Sequence, residues 1–414
     1  MNKTKLVVFG AICIFLAVAI TSVVFGLSRE EKEDTYRELE LFADALAFVQ
    51  TRYVEAKSAQ DLIYGALEGM LASLDPYSQF LTPEDYKELL VETGGRFGGL
   101  GVEITIKDGL LTVVSPLEDT PAWKAGLKPG DRIVKIEGEL TRGITLTDAV
   151  KKLRGDPKTD VTITILREKE RKVFDVTITR EIIKIKDIRR NLLLENNIGY
   201  IRLSEFREDT ANELDKAITE TKKQGAKAYI LDLRNNPGGL LDSAVSVTSR
   251  FVDENKLIVY TLDKEGKKIE YKSSPRSARI LQEPLVVIVN EGSASGSEIV
   301  AGCLKDYKRA VILGAKTFGK ASVQTVLPLS DGSALRLTTA KYYTPKGKLI
   351  QDEGITPDIE VEQRELKTES SKEEEIFDKI EEKKEPEEDF YKVDYQIIRA
   401  LDLVKGLLIL SETE

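Results

Sequence analysis

Residues 181–362 alternate strand-like apolar runs with helical stretches, and this alternation constrains the fold more than any other feature. The runs are Ile198–Leu203, Ala228–Leu233, Leu285–Asn290 and Ala310–Leu313. Ala211–Lys223 and Leu240–Phe251, lying between them, read as helices. Such alternation predicts an α/β core with a largely parallel sheet and sites at the carboxyl ends of its strands. Beyond Gly332 the chain reads as further strands ending near Glu362.

The flanking regions differ in kind. Residues 95–180 hold short β-rich runs, Gly101–Ile106, Leu110–Val114, Val161–Leu166 and Val173–Ile178, separated by Gly and Pro turns. One helical stretch, Leu146–Leu153, interrupts them, so a small β domain with a helix is expected. In residues 29–94, apolar side chains recur at three- and four-residue steps, as in Tyr36–Val49. Pro83, after Thr82 and before Glu84 and Asp85, is placed as a first helical residue. This helical region carries no identifiable chemistry; its amphipathic helices suit either a homo-oligomer interface or packing on a neighbouring domain. Residues 363–389, rich in Glu and Lys, read as a solvated linker. Residues 390–414 regain helical spacing at Val393, Ile397, Leu401, Val404 and Leu407 and are expected to dock on a folded part.

The first 28 residues are different again. Leu6–Leu27 is a nearly uninterrupted apolar run of about 22 residues, enough to cross a bilayer. Lys3 and Lys5 precede it, which places the N-terminus in the cytoplasm and the folded part outside. The run exceeds a usual signal-peptide core, and no clean small-x-small site follows, so a transmembrane anchor is expected over a cleaved signal. Either outcome puts the folded part outside the cytoplasm, on the periplasmic or cell-surface side.

Composition closes off several chemistries. The net charge is −9 and no basic stripe appears, which argues against nucleic acid as a partner. The chain contains no histidine. Ser-His-Asp and Cys-His mechanisms and histidine-ligated metals are therefore excluded within it. Proton transfer near neutral pH falls to a shifted Lys, Glu or Asp, or to a Tyr or Cys. Cys13 lies in the apolar N-terminal run and Cys303 in a buried helix, which makes them poor disulfide partners.

Three loops of the α/β region carry the chemistry. In Asp232-Leu233-Arg234-Asn235-Asn236-Pro237-Gly238-Gly239-Leu240 a buried strand ends in a Pro-Gly-Gly turn before a helix. Glycines there let a ligand approach the backbone, and amides at a helix start face negative charge, as an oxyanion hole requires. In Leu285–Asn290 followed by Glu291-Gly292-Ser293-Ala294-Ser295-Gly296-Ser297-Glu298, an apolar strand gives way to tiny residues and then a helix. That layout raises a serine hydroxyl above a sheet, but serine also caps helices well. Spacing leaves Ser293, Ser295 and Ser297 in contention. In Gly314-Ala315-Lys316-Thr317-Phe318-Gly319-Lys320-Ala321-Ser322-Val323-Gln324, small neighbours let the Lys320 amine fold inward, and a strand beginning there puts Gln324 on the same face. A lysine acts as a base only when burial strips its preference for charge.

Together, Ser293–Glu298, Thr317–Gln324 and Leu233–Gly239 resemble the motifs of the carboxyl-terminal processing peptidases, or tail-specific proteases. The resemblance covers roughly residues 35–360. It implies Ser295 as nucleophile, Lys320 as general base and Gln324 as the residue that orients Lys320. The Ser–Lys separation of 25 residues is similar to the family's. Gly296 stands where the family more often has alanine, but the mechanism uses only its backbone amide. With Gly238 and Gly239, Gly296 would form the oxyanion hole, on an α/β core of crotonase-like type.

The β domain then resembles a PDZ domain. Phe97-Gly98-Gly99-Leu100-Gly101-Val102-Glu103-Ile104 is similar to its carboxylate-binding loop and second strand, and Pro121–Ile133 to its internal turn. Gly98, Gly99, Leu100, Gly101 and Val102 would hold a substrate C-terminus whose strand pairs beside Val102–Ile104. The function implied is a serine endopeptidase acting on protein or peptide substrates with free C-termini, with no cofactor and no metal. The competing expectation is a membrane-tethered PDZ scaffold with an idle core. A penicillin-binding type of enzyme would need Ser-x-x-Lys, which the chain lacks.

Overall fold

The computed structural model describes residues 29–274, 281–364 and 390–411. The chain forms two compact units, one ending at Phe80 and the other beginning at Leu81.

The first unit is mainly helical in its described part, ending in the first residues of a short strand, Gln79–Leu81. α1 (Arg29–Arg52) is followed by α2 (Ala59–Ala72), whose start is fixed by Ser58: its Oγ accepts the Asp61 amide at 3.0 Å. Tyr36, Leu39, Leu41, Phe42 and Phe48 of α1 are exposed. No described helix is long and apolar enough to cross a membrane. The Leu6–Leu27 run and most of the charged linker lie outside the described residues.

The second unit opens with α3 (Pro83–Gly94). Thr82 Oγ1 accepts the Asp85 amide and the Asp85 carboxylate accepts the Thr82 amide, with Pro83 in the first turn as its sequence position predicts. The β domain follows: β1 (Arg96–Gly99), β2 (Val102–Lys107), β3 (Leu110–Pro116), β4 (Arg132–Ile136), α4 (Leu146–Leu153), β5 (Asp160–Arg167) and β6 (Lys172–Thr179). Strands β2 to β6 pair antiparallel in chain order. Val161, Ile163 and Ile165 point inward with Ala149 and Leu153 of α4, while Thr162 and Thr164 pair outward with Thr177 and Asp175. β1 sits apart, paired antiparallel with β7 (Glu181–Lys184), so the chain entering and the chain leaving the β domain are zipped together.

The core sheet runs β8 (Ile188–Leu194), β9 (Ile198–Leu203), β10 (Ala228–Asp232), β13 (Leu285–Val289), β14 (Val311–Gly314), β17 (Ile359–Glu360). β8 is antiparallel to β9; the other pairs are parallel. Tyr229, Leu231, Val287 and Val289 pack on one face against α5 (Thr210–Lys223), α6 (Leu241–Thr248) and α7 (Gly296–Asp306). Ile230, Val286, Ile288 and Leu313 face the other way, onto Ile397, Ala400, Leu401 and Val404 of α8 (Tyr395–Ser411). The strands are apolar throughout because both faces are covered. A second, antiparallel sheet pairs β15 (Ser322–Pro328) with β16 (Ala334–Tyr343), β16 with β11 (Leu257–Asp263), and β11 with β12 (Lys268–Lys272).

Candidate active site

Adjacent parallel strands set the site. Asp232 of β10 pairs with Ile288 of β13, so the loops that leave their carboxyl ends run side by side. The 233–239 turn and the 290–297 turn are then stitched together by side chains. Asn235 and Asn290 exchange hydrogen bonds, the Asn235 amide to Asn290 Oδ1 at 2.8 Å and Asn290 Nδ2 to Asn235 Oδ1 at 2.9 Å. The Asn236 carbonyl accepts from the Ala294 amide and from Ser297 Oγ.

This stitching separates the three serines. Ser293 is buried, its hydroxyl donating to the Leu233 carbonyl at 2.8 Å. Ser297 is buried on the Asn236 carbonyl. Ser295 lines a cleft of about 380 Å³ that Lys320 and Gln324 also line. Its backbone sits at φ 50°, ψ −110°, a strained conformation for a residue with a side chain and the geometry of a sharp strand-to-helix elbow. Cys303 is buried in α7, and burial pushes its thiol up, away from the reactive thiolate.

Lys320 precedes β15, and a bulge between Val323 and Gln324 breaks the strand's simple alternation. Gln324 Nε2 donates to Ser322 Oγ at 2.8 Å and to Thr338 Oγ1 at 3.4 Å.

One residue ties the serine loop to the lysine loop. The Glu298 carboxylate, fully buried, accepts from the Ser295 amide (2.9 Å), Thr317 Oγ1 (2.5 Å), the Gly319 amide (2.7 Å) and the Lys320 amide (2.9 Å). Burial pushes its pKa above the usual range against the pull of these donors. The Tyr342 hydroxyl reaches the carbonyl oxygens of both Ser295 (3.0 Å) and Lys320. In the sequence Ser295-Gly296-Ser297-Glu298 has the Ser-x-x-Glu spacing of a capping box, which announces the bond to the Ser295 amide but not those to Thr317, Gly319 and Lys320.

The glycine turn distinguishes its two glycines. The Gly238 amide donates to Asn236 Oδ1 at 2.9 Å and is turned into its own loop. Asn236 is buried and anchored in turn on the Leu203 carbonyl, which is why it holds that amide. Gly238 contributes close packing instead: at φ 102°, an added Cβ would sit 2.7 Å from the Gly296 nitrogen and 2.7 Å from Ser295 Cβ. Gly239 lines the cleft, while Gly296 opens α7 beside Ser295.

Comparison with known proteins places the chain in a family. A profile for peptidase family S41 matches residues 197–361, one for a PDZ domain matches 112–167, and one for an activating protease CtpB N-terminal domain matches 18–85. A carboxy-terminal-processing protease of Bartonella bacilliformis is 44% identical over 361 residues, covering 86% of this chain and 82% of that protein. The chain belongs to the carboxy-terminal-processing protease family. A probable CtpA-like serine protease of Staphylococcus epidermidis is 36% identical over 364 residues, covering 86% of this chain and 72% of the relative. Among solved structures, the photosystem II D1 C-terminal processing protease is 34% identical, covers 78% of this chain and 92% of that chain, and superposes with a TM-score of 0.44.

This carboxy-terminal-processing protease is thus a serine peptidase with a PDZ domain. Its PDZ loop is shorter than the sequence suggests. Gly98 and Gly99 are not in a loop but in β1, opposite Ile182 and Glu181, because the chain leaving the domain returns to pair with them. Leu100 and Gly101 form the loop proper, with Val102 opening β2. The Leu100 carbonyl accepts the Ala122 amide and the Gly101 carbonyl accepts the Leu117 amide, both at 2.8 Å.

Proposed function

We propose that this protease recognises the C-termini of extracytoplasmic proteins through its PDZ domain and cleaves them by a Ser-Lys acyl-enzyme mechanism. Ser295 Oγ attacks the scissile carbonyl carbon while neutral Lys320 takes its proton. The amides of Gly239 and Gly296 hold the oxyanion. Collapse breaks the C–N bond, Lys320 returns the proton to the leaving amine, and the acyl chain stays on Ser295 as an ester. Lys320 then deprotonates the water that hydrolyses that ester. Gln324 orients the lysine amine. The substrate's terminal carboxylate lies at the Leu100–Gly101 loop, and its last residues extend β2 beside Val102.

The observation that carries this reading is that Ser295, Lys320 and Gln324 share one cleft while Ser293 and Ser297 are spent on internal bonds, in a chain with no histidine. Digestion of an unstructured protein by purified wild type, Ser295→Ala and Lys320→Ala tests it. Each variant is expected to lose about a thousandfold or more in kcat while staying folded. Wild-type turnover by folded Lys320→Ala would sink the assignment.

The apolar Leu6–Leu27 run supports a membrane anchor with the catalytic part outside the cytoplasm. External protease added to spheroplasts, with the cytoplasmic membrane intact, should then digest the folded part; protection until that membrane is lysed would place it inside. The exposed apolar face of α1 supports self-association of the helical region.

A further inference from the structure

The guanidinium of Arg234, one residue into the glycine turn, is almost wholly buried. Its Nε bonds both oxygens of Asp232 (2.9 and 3.1 Å), and Nη2 bonds Asp232 Oδ2 at 2.6 Å. The Asp232 carboxylate also accepts the Arg234 amide and the Tyr200 hydroxyl. None of this comes from the cleft. The remaining donors, on Nη1, go to the C-terminal segment: Asp394 Oδ1 and Oδ2 at 3.0 and 2.8 Å, and Gln396 Oε1 at 3.0 Å. Gln396 is itself fully buried, and its Nε2 donates to the Val361 carbonyl at 2.7 Å. The acceptors that complete Arg234 therefore lie 160 and 162 residues further along the chain, on the segment that opens α8.

Five N–H donors in a rigid fork must all be satisfied when an arginine is buried. Asp232 takes one side of the fork. Without Asp394 and Gln396 the other side would have to swing toward water, dragging residue 234 and the turn behind it. That turn runs directly into Asn235 and Asn236, which bond the serine loop through Asn290, Ala294 and Ser297. We infer that Asp394 and Gln396 are positioning residues for the active site, holding the Gly238–Gly239 turn against Ser295 through Arg234. The inference deepens the catalytic reading above and rests on it.

The test compares full-length wild type with Asp394→Ala, Asp394→Glu and Leu401→Ala, scoring kcat, KM and thermal midpoint. Leu401 anchors the same helix from the sheet side without touching Arg234, so its variant reports the cost of a loosened helix alone. Because a small misplacement of the catalytic turn slows the chemical step, Asp394→Ala is expected to lower kcat by about ten- to a hundredfold with KM within about twofold. Asp394→Glu should recover part of that loss, and Leu401→Ala should lower the midpoint while leaving kcat near wild type well below it. If Asp394→Ala does not fold, Gln396→Leu takes its place with the same expectation. An unchanged kcat in Asp394→Ala, or a loss that Leu401→Ala reproduces, overturns the inference. Ser295→Ala is assayed in parallel: activity there would sink the catalytic reading, whereas inactivity there with unchanged kcat in Asp394→Ala sinks only the positioning role.

Discussion

The two recognition loops of the second unit are built on opposite plans. The catalytic turns at 233–239 and 290–298 are fastened by side chains from across the fold: Asn235, Asn236, Asn290, Glu298 and Arg234 each bond a distant partner. The PDZ loop at Leu100 and Gly101 is held mainly through its own carbonyls, by the amides of Ala122 and Leu117 and one hydroxyl, that of Thr120. A catalytic turn must keep its geometry within a fraction of an ångström, and buried side-chain bonds supply that rigidity. A loop that captures a carboxylate with its amides needs only to keep those amides unspent. Under the function proposed above, the difference puts the denser side-chain fastening at the chemistry.

The strongest way to break this contrast is to remove the hub. Glu298→Ala leaves the Ser295, Gly319 and Lys320 amides and the Thr317 hydroxyl without their acceptor. Stability should fall by about 3 kcal/mol or more, and kcat by about a hundredfold or more, read by denaturant unfolding and steady-state proteolysis. Glu298→Ala at wild-type rate would mean that the two loops hold their places without it.

A second change tests the other side. At Gly101, φ is 72° and an added Cβ would lie 2.3 Å from Thr120 Cβ, so Gly101→Val distorts the PDZ loop alone. Since only recognition is disturbed, KM should rise by about tenfold with kcat held, at a cost of about 1–3 kcal/mol of stability. A fall in kcat of similar size would show that this loop takes part in the chemical step.

The smallest effect is one of pH. Burial pushes the Asp232 carboxyl up, but its bonds to Arg234 outweigh that and hold it below its ordinary value of 3.8. A carboxyl lowered in the folded state contributes stability that is complete above its unfolded pKa and is lost as pH falls below it. The thermal midpoint should therefore drop more steeply below about pH 4 in the wild type than in Asp232→Asn. Parallel slopes would remove Asp232 from the acid response.

Much of this fold was legible in the sequence, for reasons that also explain what was not. β9 begins and ends where its apolar run does, and α4 matches its predicted span. Strands covered on both faces, and helices with one buried stripe, write their burial into local spacing. β12 is not legible, because Lys268-Ile269-Glu270-Tyr271-Lys272 is largely exposed and carries charge on its open face. β4 is likewise hidden, its arginine and lysine flanking two inward isoleucines. The site divides the same way. Ser295 and Lys320 lie in loops that small residues mark and Gln324 in the strand that follows, whereas the bonds of Glu298 to the lysine loop, and those of Asp394 and Gln396, go to partners that no local pattern announces. Between Gly238 and Gly239 the sequence does not choose, because the partner that occupies the Gly238 amide is a side chain two residues away, a detail that spacing does not encode.

The C-terminal helix also orders events in time. Lys405 meets Glu195 at 2.6 Å across 210 residues, and α8 supplies the apolar cover for Tyr200, Ile230 and Ile288. During translation that sheet face stays bare, and Arg234 lacks its outer acceptors, until α8 has left the ribosome. A contact this distant in sequence closes late, since the longest loop must be closed to make it. The sheet face and the Arg234 fork are therefore completed only once residues 394–404 have been made.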